Sequence, residues 1–118
     1  MINQMVDHSP AGLDGVFHAL ADPTRRAMVR QLASGEHTVS ELAAPHAMSL
    51  AAASKHVRVL EQAGLLRRAI AGRVHRCSLE RQPLVQAFSW LRAYIEFWDA
   101  RFDALEDLLN AGDDDDRD

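Results

Sequence analysis

The chain has 118 residues, 47% apolar and 25% charged, the balance of an ordinary globular domain that buries a modest core alone and a larger one as an oligomer. No apolar run approaches the ~20 residues of a membrane span, and the first twelve residues lack the charged start and apolar centre of a secretory signal. The lone Cys77 excludes a disulfide within the chain and a Cys-cluster zinc site, so the expected compartment is the cytoplasm.

A net charge of −4 argues against a polyanionic partner until its distribution is read. Residues 22–81 carry ten Lys/Arg against five acids, whereas residues 82–118 carry three against ten. A basic middle between acidic ends points to one surface built for an anionic polymer.

In chain order, Leu13, Val16, Phe17 and Leu20 recur at helical spacing and predict a first helix over Leu13–Ala21. Asp22-Pro23 restarts the chain as an N-cap followed by a first-turn proline, and the second helix runs to about Ser34, before Gly35. Thr38-Val39-Ser40-Glu41 is a capping box that opens a short third helix with Val39 and Leu42 inward, limited by Pro45. Ser49 caps a fourth helix to Ala63, with Gly64 at its end. The period then changes: Leu65–Ile70 and Val74–Leu79 read as strands of a hairpin turning through Ala71-Gly72-Arg73. A final helix is predicted from Pro83 to about Asn110. The fold class is mainly α with a small β-hairpin, in the order of a winged helix-turn-helix. Residues 1–12 form an amino-terminal arm, 13–110 the domain, and 111–118 an acidic tail expected to be disordered because it cannot pack.

About four residues separate the third and fourth helices, the spacing of a helix-turn-helix. On the fourth helix Ala53, Val57, Leu60 and Gly64 share one face, while Ala51, Lys55, Arg58 and Gln62 lie opposite, flanked by Ala52 and Ser54. Such a helix fits the major groove: small Ala51 and Ala52 allow close approach, and Ser54, Lys55 and Arg58 reach bases or phosphates. The hairpin concentrates Arg67, Arg68, Arg73 and Arg76 with His75, suited to a phosphate backbone or a minor groove. The expected contact set for double-stranded operator DNA is Ser40, Ser49, Ala51, Ala52, Ser54, Lys55, His56 and Arg58, with the four wing arginines. His56 sits at the edge of the packed face, where a packing role competes with phosphate contact.

The last helix repeats Leu84, Phe88, Leu91, Ile95, Trp98, Phe102, Leu105 and Leu109 at 4-3 spacing, with Ala87, Trp90, Tyr94 and Phe97 beside them. That face is too wide for one contact. One side can cover the core while the other meets a second copy, so a homodimer is expected through Val16 and Phe17 with Leu91, Ile95, Trp98, Phe102 and Leu105. The alternative is a helical protein-interaction adaptor whose winged-helix domain no longer binds DNA; four wing arginines weigh against it.

The segments Leu20-Ala21-Asp22-Pro23-Thr24-Arg25-Arg26, Val39-Ser40-Glu41-Leu42-Ala43, Met48-Ser49, Ser54 through Glu61, and Ala63-Gly64-Leu65-Leu66 through Gly72-Arg73 together resemble the ArsR-type winged-helix repressors, in their metal-independent branch. The resemblance spans roughly residues 13–109. It implies a homodimeric repressor of its own or a neighbouring operon, with a recognition helix at Ser49–Ala63, a wing at Arg67–Arg76, and dimerisation through the first and last helices. Metal-sensing members carry a Cys pair in the third helix or Asp/His ligands in the last. Here the third helix reads Ser40-Glu41-Leu42-Ala43-Ala44, and the last has no histidine. No metal or cofactor is expected, and the residues assign no small-molecule or protein effector. The six histidines never form a close ligand pair, and no phosphate loop, activated nucleophile or carboxylate pair suggests an enzyme. Cys77 alternates with Leu79 and is expected in the core.

Overall fold

The computed structural model describes residues 10–116. Helices α1 (Pro10–Leu20) and α2 (Pro23–Ala33) lead into a two-residue strand β1 (His37–Thr38) and the short helix α3 (Val39–Ala43). A 3-10 turn at Ala44–His46 precedes α4 (Leu50–Gln62), the hairpin β2 (Leu66–Ala71) and β3 (Val74–Leu79), and the long α5 (Gln82–Asp116).

Capping chemistry sets the boundaries. Asp22 accepts the Arg25 amide at 2.9 Å at the head of α2. At α3 the Thr38 hydroxyl accepts from the Glu41 amide (3.1 Å) while Glu41 Oε1 accepts from the Thr38 amide (2.7 Å), which satisfies two otherwise orphaned donors. Ser49 Oγ accepts from the Ala52 amide at the head of α4. Gly64 ends that helix at φ +81°, a conformation that L side chains rarely adopt.

Met28, Leu32, Leu42, Ala53, Val57, Leu60, Leu65, Leu66 and Cys77 form the centre of the core. On α4 the buried set is Ala53, Val57 and Leu60, the inward face expected from its period. Full burial of each leucine or valine contributes about 1.5–3 kcal/mol, so this face fixes the outward aim of the remainder of α4.

The chain divides after Ala87 into two units. In the first, Leu84 and Ala87 at the start of α5 pack on the core. The second is the remainder of α5, whose large apolar side chains are exposed from Phe88 to Leu109.

Four expectations need correction. The sheet has three strands in the order β1-β3-β2, because His37 and Thr38 pair with Cys77 and Arg76. The hairpin turns over Gly72-Arg73 alone: Ala71 pairs with Val74, and Gly72 supplies the positive φ of +63°. Helix α5 continues through Gly112–Asp116, where a disordered tail was expected, since an established helix gains a backbone hydrogen bond with each added residue. Helix α1 starts at Pro10, within the segment expected as an arm, whose residues 1–9 lie outside the described residues.

Candidate nucleic-acid interface

The turn between α3 and α4 is held from α2. Gln31 Nε2 donates to the carbonyls of Glu41 (3.4 Å) and Leu42 (3.5 Å), and its Oε1 accepts from His46 Nε2 at 2.9 Å. Ala47 closes the turn in the left-handed region, φ 51° and ψ 41°, which redirects the chain into α4.

With its inner face buried, α4 turns Ala51, Lys55, Arg58 and Gln62 outward. Ala52 and Ser54 are half-buried on the flanks, as the 100° advance requires. His56 is also half-buried. Arg25 NH1 donates to its Nδ1 at 3.3 Å, while Arg25 Nε and NH2 donate to the Ala19 (2.7 Å) and His18 (3.2 Å) carbonyls. Asp22 Oδ2 stands 4.0 Å from the same Nδ1, too far for a hydrogen bond. A guanidinium only donates, so Nδ1 is the acceptor in this bond, which in the neutral ring leaves the proton on Nε2. The Arg25 amide bound to Asp22 also holds that carboxyl below the usual carboxylate range. The Thr38 amide does the same for Glu41.

The four wing arginines separate into two kinds. Arg67 pairs with Glu80 at 2.6 Å on the surface. Arg68 is only 17% exposed; NH2 donates to Glu61 Oε1 and NH1 to His75 Nδ1, both at 3.1 Å. Its Nε is buried without a hydrogen-bond partner among the described residues. Arg73 at the tip and Arg76 on β3 are exposed. The sequence placed all four in one contact surface, whereas Arg68 is committed inside the protein.

Ser40, Leu50, Ser54, Arg73, Val74 and His75 line a cavity of about 460 Å³ between α3, α4 and the wing. It gathers three expected contact residues from three elements. Leu50 and Val74 were missed because no periodicity marks an apolar residue that the fold leaves 55% and 45% exposed. Ser40 is exposed and Ser49 is occupied as the α4 cap.

Val16, expected at the dimer contact, is buried in the core of its own chain at 3% exposure, and Phe17 packs partly against that core. Leu91, Ile95, Trp98, Phe102 and Leu105 are exposed along the second unit. A ladder of rings runs along it, Trp90–Tyr94, Tyr94–Trp98 and Trp98–Phe102, with centroids 5.2, 5.9 and 5.8 Å apart. Cys77 is buried, which pushes its thiol pKa up. Among the described residues no three His, Cys, Asp or Glu side chains are grouped to hold a metal ion, and no helix is long and apolar enough to cross a membrane.

A family model for a helix-turn-helix domain matches residues 20–69. The chain is 47% identical over 53 residues to the HTH-type transcriptional regulator Rv2034 of Mycobacterium tuberculosis, a match that covers 45% of this chain and half the length of that relative. It is 29% identical to the transcriptional repressor SdpR of Bacillus subtilis over 70% of this chain and 92% of the relative. The crystal structure of the ArsR family transcriptional regulator RHA00566 superposes with a TM-score of 0.73 at 44% identity, covering 77% of this chain and 94% of that one. The fold and these relatives define a winged helix-turn-helix regulator. The chain belongs to the ArsR family of transcriptional regulators. All three relatives are regulators of transcription, which does not favour the adaptor alternative.

Proposed function

We propose that the protein is a dimeric repressor that binds an operator in double-stranded DNA, acting on its own or a neighbouring operon from the cytoplasm, without an enzymatic activity. The observation that carries this reading is the outward face of α4, Ala51, Lys55, Arg58 and Gln62, beside a cavity lined by Ser40, Ser54 and Arg73. Lys55 and Arg58 suit guanine O6/N7 or phosphate, and Ala51 and Ala52 suit thymine methyls. Arg73 and Arg76 supply sequence-independent attraction to the backbone, while Arg67 and Arg68 serve mainly their own acids.

The dimer reading rests on the exposed apolar face of α5 from Phe88 to Leu109. Aromatic rings of this size dominate interface energetics once buried. A second copy offers the same face, and two-fold symmetry sets two recognition helices about one DNA turn apart, ~34–36 Å. Metal-independent action is supported by the cysteine-free α3 and by the burial of Cys77.

Selection from a random duplex library tests the reading. The enriched site should be palindromic, and binding should weaken with salt at a log–log slope of roughly −5 to −7 if each protomer neutralises about three or four phosphates. Within that complex Lys55→Ala should change base preference at one or two positions per half-site by ~1–3 kcal/mol. Arg73→Ala should weaken all sequences alike and flatten the slope by about one. Failure of the protein to enrich any duplex at low salt would refute DNA binding.

A further inference from the structure

The committed state of Arg68 has a consequence for the groove between α4 and the wing. Arg68 pairs with Cys77 across the hairpin, so His75 is its diagonal neighbour on the same face. Arg68 NH2 is anchored on Glu61 of α4, and NH1 donates to His75 Nδ1 at 3.1 Å. Because the guanidinium has no lone pair to offer, Nδ1 is the acceptor and the neutral ring carries its proton on Nε2. Two elements thus cooperate to fix one imidazole in one tautomer, in the way outer partners fix the histidines of metal sites. His75 itself lines the 460 Å³ groove, together with Ser54 and Arg73.

Duplex geometry says what passes there. A recognition helix in the major groove and a hairpin at the adjoining minor groove must straddle the one strand that separates the two grooves. That strand presents anionic phosphates and weakly polar sugars in alternation. The groove matches this, with Arg73, Ser54 and His75 as donors and Leu50 and Val74 as apolar walls. We propose that this groove seats the sugar–phosphate ridge of one DNA strand, with His75 donating its Nε2–H to a phosphate oxygen and the Glu61–Arg68 pair acting as positioning residues that aim the ring. The proposal rests on the DNA-binding reading above and adds a donor and a positioning pair to it.

Single methylphosphonate substitutions along a selected operator, each removing one phosphate charge, provide the test with full-length protein. One position per half-site should cost the wild type about tenfold, the range of a hydrogen bond to a charged group. In His75→Ala that cost should fall below about twofold, because the two changes remove the same interaction. Glu61→Gln, which weakens the anchor of Arg68, should reduce the same coupling without an equal loss at other phosphates, a pattern general destabilisation does not produce. His75→Gln keeps a side-chain N–H donor and should restore part of the coupling, while His75→Phe, which keeps a ring but offers no donor, replaces the alanine variant if that one does not fold. Nitrogen-15 spectra of the free protein should show His75 protonated on Nε2. Tight wild-type binding with no phosphate coupled to His75, or a ring protonated on Nδ1, overturns this assignment while leaving DNA binding intact. Failure to bind any duplex overturns both, and the salt and selection experiment identifies that case first.

Discussion

Arg25, in the first turn of α2, donates to His56 on the recognition helix across 31 residues of sequence, at 3.3 Å. The same guanidinium holds the Ala19 and His18 carbonyls at the end of α1, so one side chain ties three helices together. Arg25→Ala should destabilise the fold by about 2 kcal/mol, the scale of lost hydrogen bonds to a charged group in a partly buried site. Arg25→Lys should recover little, because an ammonium cannot reproduce the fork geometry. Urea unfolding of the three proteins checks this, and equal stabilities would show that the bridge contributes nothing.

Ala47 occupies the left-handed region with a side chain exposed to solvent. The Cβ makes that conformation costly by roughly 1–2 kcal/mol, whereas glycine adopts it freely but loses more chain entropy on folding. Ala47→Gly should therefore stabilise by a net ~0.5–1 kcal/mol. The urea midpoint should rise with an unchanged slope. A lower midpoint would mean the turn carries no such strain.

Asp22 caps α2, and its carboxyl titrates below the usual range because the Arg25 amide bonds to the ionised form. The folded state thus holds this proton less tightly than the unfolded chain. The sign follows: the cap's contribution is complete above the ordinary aspartate range and is lost as pH falls through the depressed value. Asp22→Ala should cost about 1 kcal/mol at neutral pH. That gap should close as the pH drops below the carboxylate range. Glu41 shifts in the same direction but is present in both proteins, so it cancels in the comparison. A gap that is constant with pH would show that the charged cap is not its source.

Trp98 lies between Tyr94 and Phe102 in the aromatic ladder of the second unit. If two copies pack through this face, Trp98→Ala should weaken their association by about 3 kcal/mol. The compact unit ending at Ala87 should stay folded, and operator affinity should fall as two half-site contacts become one. Sedimentation at several concentrations, beside a thermal melt, reads both effects. A wild-type chain that sediments as a monomer at micromolar concentration would refute the dimer.

Features that depend on neighbours a few residues apart are legible in the amino-acid order. Asp22-Pro23, the Thr38–Glu41 box and Ser49 mark their helix starts because each cap closes within three residues. The inward face of α4 follows from its period, and the apolar face of α5 is legible in its 4-3 spacing. The remaining features depend on groups far apart in the chain and emerge only when folding brings those groups together. A two-residue strand at His37–Thr38 has no period to read and exists because β3 offers an open edge. Val16 and Leu91 look alike in sequence, yet the first is closed into the core and the second exposed. Arg68 and Arg73 carry the same charge five residues apart. One is spent on Glu61 and His75 while the other stays in solvent, because the pleat turns Arg68 toward α4 and the turn carries Arg73 to the tip.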